Sequence, residues 1–203
     1  MQEKKSGAKT LLWSVIMSSP GPLVVGLGLL AGSSSTQIAD FVRRSAELLA
    51  IIVSFAVYSL LAKDTFRNRV DKQKLESSSN IFVGIMMCIA GTIMAVLAFT
   101  MNQEDKGNVV PGLAIAVLGV IANSIFWRKY TRLNKATTDA ILAVQARLYR
   151  AKTLVDISVT IALLSVLNAP QSKVSHWFDL VGSLVVAIYL VCCGLKTIYE
   201  HKL

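Results

Sequence analysis

The sequence predicts an all-α, polytopic membrane protein with six transmembrane helices. Three observations carry that expectation. The composition is 54% hydrophobic, with a mean hydropathy of +0.57, too apolar for an ordinary soluble domain of 203 residues. Six apolar segments, at residues 11–31, 38–62, 80–101, 110–127, 139–167 and 177–198, are each long enough to cross about 30 Å of hydrocarbon. Basic residues crowd into alternate connecting segments, as they do in membrane proteins. Residues 1–203 are expected to form a single six-helix transmembrane domain, with no C-terminal cytoplasmic domain.

The basic start of the chain, with Lys4, Lys5 and Lys9, leads into the first span. That apolar run is too long for a signal peptide, and no small-residue cleavage site precedes a soluble domain. Within the span, Ser18-Ser19-Pro20-Gly21-Pro22 removes backbone donors, so a kink or break is expected there. The second and fifth spans carry charge and qualify only if that charge faces inward. Gly26 and Gly28 in the first span and Gly84, Gly91, Gly119 and Gly182 in the third, fourth and sixth are placed to allow close helix contacts.

Lys63, Arg67, Arg69, Lys72 and Lys74 separate the second and third spans, and Arg128, Lys129, Arg132 and Lys135 the fourth and fifth. The intervening connections carry only Lys106 and Lys173. This asymmetry puts both termini in the cytoplasm of a protein expected in the plasma (inner) membrane. It also accounts for the net charge of +9 without nucleic acid, for which no recognition motif is present. Membrane lipid is the expected surrounding. Cys88, Cys192 and Cys193 lie in apolar runs without ligand spacing and read as small packing residues.

Function is expected where the charges are. In Ser33–Lys63, Asp40, Arg43 or Arg44, and Glu47 share one helix face. A charge at the centre of a membrane helix costs about 2.5–3.5 kcal/mol on insertion scales, so such residues persist facing a bundle interior or an aqueous path. A second charged helix runs from Gln145 to Ser158, with Gln145, Tyr149, Lys152 and Asp156 on one face. Facing the two across a bundle gives a polar transport site, its candidate substrate-binding residues Asp40, Arg43, Glu47, Gln145, Tyr149, Lys152, Thr153 and Asp156. The plainer reading is that Glu47 pairs with Arg43 and Asp156 with Lys152 at i, i+4, neutralising charge inside the bundle. His176 and His201, near the membrane ends, read as solvated. No GxSxG, P-loop, HExxH or paired-carboxylate hydrolase pattern occurs, so neither an enzyme nor a cofactor is expected.

The pattern resembles the transmembrane domain of the cation diffusion facilitator family over nearly the whole chain. Gly32-Ser33 is similar to the family's entry to its second helix, and Ala39-Asp40-Phe41-Val42-Arg43 through Glu47 to that helix's metal-binding run. Lys74-Leu75-Glu76 resembles the start of its third helix, Asn134 to Asp156 the run into the fifth, and Trp177-Phe178-Asp179 the opening of the sixth. The resemblance implies a homodimer and a tetrahedral metal site from four positions, here Arg43, Glu47, Lys152 and Asp156. Only the two carboxylates are ordinary ligands, because a guanidinium and a protonated lysine have no lone pair to donate. The usual zinc site therefore looks lost.

Three functions follow as expectations. The first is secondary transport of a cation, a divalent metal on the resemblance, with protons as a candidate coupling ion. Asp40, Glu47 and Asp156 would supply its oxygen ligands, and oxygen sets favour magnesium or manganese over zinc. The second starts from the excess of Arg43, Arg44, Arg147, Arg150 and Lys152 over nearby carboxylates, which suits an anionic or metal-chelate substrate. Outward snorkelling of Arg44 and Arg147 is the plain alternative to that reading. The third is a transport-incompetent, transporter-like membrane partner.

Overall fold

A computed structural model of the chain describes residues 2–31, 35–62, 69–100, 110–168 and 173–202. Among them are seven helices and no strand: α1 (Gln2–Ser18), α2 (Pro20–Ala31), α3 (Ser35–Leu61), α4 (Arg69–Thr100), α5 (Val110–Thr137), α6 (Ala140–Asn168) and α7 (Lys173–Glu200). The architecture is a helical membrane bundle, in which α1 and α2 are the two halves of the first predicted span.

That first rod breaks where the prolines stand. The Ser19 amide still reaches the Val15 carbonyl at 3.0 Å, and the Ser19 hydroxyl donates to the same oxygen at 2.7 Å. Pro20 has no N–H to continue the ladder, but its fixed φ suits the first position of a new helix.

Three helices outrun their predicted spans by two turns or more, α1 among them, since it begins at Gln2 rather than Leu11. α4 begins at Arg69 rather than near Asn80, and α5 continues past Trp127 to Thr137. The 32 residues of α4 measure about 48 Å at 1.5 Å per residue, well beyond the hydrocarbon thickness. Hydropathy marks where a helix leaves lipid, whereas its hydrogen bonds carry on into water. Phe41–Leu61, Asp71–Phe99 and Leu180–Glu200 are long and apolar enough to cross a membrane on length and composition alone. α6 instead carries Arg147, Arg150, Lys152 and Asp156 along its length.

The α5–α6 connection is a tight hairpin. Thr138 adopts a left-handed φ of 50°, and its amide bonds to the Asn134 carbonyl at 2.7 Å. Asp139 then caps α6, its Oδ1 accepting from the Ile141 and Leu142 amides at 3.0 and 3.2 Å. Capping of this kind contributes about 1 kcal/mol.

α4 packs most extensively on α7 and α5 on α6, whereas α3 and α6 meet over a short stretch. Glycine permits the α4–α7 approach: a Cβ on Gly194 would lie 2.6 Å from both Cys88 Sγ and the Gly84 carbonyl oxygen. Leu11, Ile51, Met87, Leu142, Leu148 and Leu190 fill the interior. The outer surface is apolar as well, with Leu23, Val24, Leu27, Phe99, Leu118, Val185 and Ile188 all more than half exposed. Such a surface would aggregate in water and is the expected face toward lipid. The protein is an integral membrane protein.

Candidate functional site

The short α3–α6 contact holds the charge. Arg43 and Glu47 stand one turn apart on α3, and Lys152 projects from α6 toward them. Arg43 Nη1 donates to Glu47 Oε1 at 2.9 Å, and Lys152 Nζ lies 3.6 Å from Glu47 Oε2. The three side chains are 11%, 7% and 12% exposed, so solvent screens them little. One carboxylate thus binds two cations, one from its own helix and one from across the interface.

Other helices hold this cluster in place. Lys152 Nζ donates to Ser18 Oγ of α1 at 3.4 Å and sits 5.1 Å from the Tyr149 ring centroid, within cation–π range. Ser18 Oγ shares a 3.2 Å hydrogen bond with the Tyr149 hydroxyl. The Tyr149 ring packs against Phe126 and Tyr130 at centroid distances of 5.2 and 5.3 Å. The Tyr130 hydroxyl in turn meets Ser14 Oγ at 2.7 Å. A lysine anchored between a carboxylate, a hydroxyl and a ring face has few alternative rotamers.

Asp156 is held differently. Its Oδ2 accepts from Asn123 Nδ2 of α5 at 2.6 Å. Gly119 makes the room, since a Cβ there would sit 2.7 Å from the same oxygen. Asp156 still lies close enough to Lys152, Glu47 and Arg43 to feel their charges. With it included, two cations and two carboxylates balance within the bundle, which lowers the cost of keeping them in a low-dielectric interior.

The structure distributes the remaining predicted residues as follows. Gln145 donates through Nε2 to Ser54 Oγ of α3 at 2.8 Å, while its buried Oε1 has no hydrogen-bond partner among the described residues. Thr153 is 3% exposed, and its hydroxyl donates back to the Tyr149 carbonyl at 2.9 Å, so it serves its own helix. The side chains of Asp40, His176, Trp177 and Asp179 lie outside the described residues. Among the described side chains, no three His, Cys, Asp or Glu groups converge on a point that would hold a metal ion.

The five cations weighed for an anion site do not share one cavity. Arg147 donates to Glu200 Oε2 of α7 at 2.6 Å and to Thr197 Oγ1 at 3.4 Å. The Arg150 guanidinium lies over the Trp127 and Tyr189 rings, 5.8 and 5.6 Å from their centroids. The i, i+4 reading of Lys152 with Asp156 also meets a different geometry: Lys152 turns to Glu47, and Asp156 takes Asn123. Ser18, Ser54 and Asn123 were missed as site residues. Asn123, a lone carboxamide within an apolar span, was the most legible signal among them.

A helical membrane bundle with a buried, charge-balanced polar centre between two helices has the make-up of an ion-handling integral membrane protein. The family model described as the cation efflux transmembrane domain matches residues 13–202, and the chain belongs to that family. It is a family of transporters rather than enzymes, whose surroundings are the membrane and whose cargo is a cation. No curated protein matches the chain at a significant level.

Proposed function

We propose that this chain is a secondary transporter moving a divalent metal cation through the polar centre between α3 and α6, with protons as the coupling ion. The observation that carries this reading is the buried carboxylate of Glu47, which already holds a cation supplied by the protein itself. The Lys152 ammonium sits on the oxygen that a cargo cation would use. Loading then requires Lys152 to swing off Glu47, opening an oxygen site that Asp156 and Asp40 would complete. An all-oxygen set of that kind favours magnesium or manganese over zinc. Rocking of the α3–α6 contact would expose the site to each side in turn.

The same proposal takes residues 1–203 as one six-span domain, homodimeric, in the plasma membrane with both termini cytoplasmic. The positive-inside distribution supports that orientation.

The test is metal flux by purified protein in proteoliposomes, comparing zinc, manganese, iron(II), cobalt and magnesium, normalised to folded protein. Wild type is expected to transport at least one of them, and Glu47→Gln and Asp156→Asn to lose most of that flux. Unchanged flux in both variants removes the site from the pathway. Absence of flux with every metal transfers the weight to an anionic or chelate substrate, or to a non-transporting partner role. Stoichiometric co-purification of a second protein would favour the partner role.

A further inference from the structure

A second feature, apart from the transported ion, lies on the outer side of α5. Trp127, Arg128, Thr131, Arg132 and Lys135 line an open groove of about 330 Å³. At 100° per residue these five positions fall within an arc of roughly 140°. Phe126 and Tyr130 point the other way, packing on the aromatic cluster around Tyr149. Arg128, Arg132 and Lys135 are exposed, and no carboxylate among the described residues pairs with any of them. The groove is therefore cationic without internal compensation.

What lies below the groove identifies the occupant. Val117, Ile121 and Ile125 continue the same helix face toward the bundle middle and are 41%, 53% and 59% exposed. Trp127 marks the boundary between the two zones, as indole rings do at the membrane interface. Its ring is further fixed by the Arg150 guanidinium at 5.8 Å. Basic residues that served topology alone would need only to reach water, with no requirement to share a face or to cap an apolar stripe. Here three cations and a hydroxyl bearer surround a recess whose lower lip is hydrocarbon-facing. That combination matches an amphiphile with a phosphate head and an acyl tail.

We propose that this groove binds an anionic phospholipid, its phosphate among Arg128, Arg132 and Lys135 and one acyl chain along Val117, Ile121 and Ile125. Arginine presents a planar fork suited to phosphate oxygens. A lipid bound there would brace the end of α5 where it leaves the membrane. In the orientation proposed above, the site faces the cytoplasmic leaflet.

The experiment uses the full chain purified in neutral detergent, titrated with phosphatidylglycerol, phosphatidylcholine or inorganic phosphate. Bound lipid is counted by native mass spectrometry. Three interfacial cations would give phosphatidylglycerol a preference of roughly a hundredfold over phosphatidylcholine. The triple variant Arg128→Gln/Arg132→Gln/Lys135→Gln should lose most of that preference. Lys72→Gln/Lys74→Gln, which removes charge from α4 instead, should keep it. Equal binding of the two lipids overturns the proposal, as does equal loss in both variants. Full competition by inorganic phosphate would mark a site for free phosphate and overturn the lipid assignment. Should the triple variant fail to insert, Arg132→Gln alone is expected to weaken phosphatidylglycerol several-fold, and no change in that variant refutes the site.

Discussion

Replacing Glu47 by glutamine tests the reading of the charged centre most directly, because it keeps the side-chain shape and removes one charge. Lys152, 12% exposed, then loses the carboxylate held at 3.6 Å. The Ser18 hydroxyl at 3.4 Å and the Tyr149 ring at 5.1 Å remain. Breaking a buried pair by removing one partner costs about 3–5 kcal/mol, because the other charge stays desolvated. The hydroxyl and the ring offset part of this, which places the expected loss near the lower bound, about 3 kcal/mol. The second half of the prediction is a rescue. Adding Lys152→Met removes one of the two cations that Glu47 holds and restores the charge balance while filling similar volume, so Glu47→Gln/Lys152→Met should regain part of the loss, the 2.9 Å bond from Arg43 to Glu47 staying broken. Reversible unfolding in mixed micelles, run as a double-mutant cycle, measures both. A single-variant loss below about 1 kcal/mol, or a double variant no more stable than Glu47→Gln, would refute the idea that Lys152 depends on Glu47.

Two further outcomes follow from neighbouring contacts. Asn123→Leu withdraws the amide donor held 2.6 Å from Asp156 Oδ2, and a hydrogen bond to a charged group is worth about 1.5–3 kcal/mol; the same unfolding assay should show a loss in that range. Gly194→Ala would place a methyl 2.6 Å from Cys88 Sγ and from the Gly84 backbone oxygen, and because backbone cannot rotate away, a loss of about 1–3 kcal/mol is expected, measured against Cys88→Ala, which relieves only the sulfur contact.

The placement of charge was readable because helical period reports which side chains share a face. Arg43 and Glu47 at i, i+4 were legible as a pair, and the structure holds them at 2.9 Å. Period says nothing about which helix a face opposes, so the Lys152 bond across to Glu47 could not be separated from a pairing with Asp156 on its own helix. For the same reason neither Ser18 nor Asn123 is assigned to the site by sequence, although Asn123 stands out as a lone carboxamide in an apolar span: each lies on a helix other than the two that carry charge. The break at Ser19–Pro20 was visible because proline acts locally through its missing donor. The overrun of α5 past Trp127 was not, because hydropathy falls at the lipid boundary while Arg128, Lys129 and Arg132 remain good helix formers.

The tight α5–α6 hairpin has a consequence for how the protein is made. A chain that enters the membrane from its N-terminus delivers α3 before α6, with Glu47 already engaged by Arg43 one turn away. The hairpin follows, and Asp156 arrives joined to the helix that carries its Asn123 donor. Lys152 then meets a carboxylate that is waiting for it. For Arg43, Glu47 and Lys152 the order of synthesis is thus an order of neutralisation, whereas Arg147 of α6 waits for Glu200 at the end of α7.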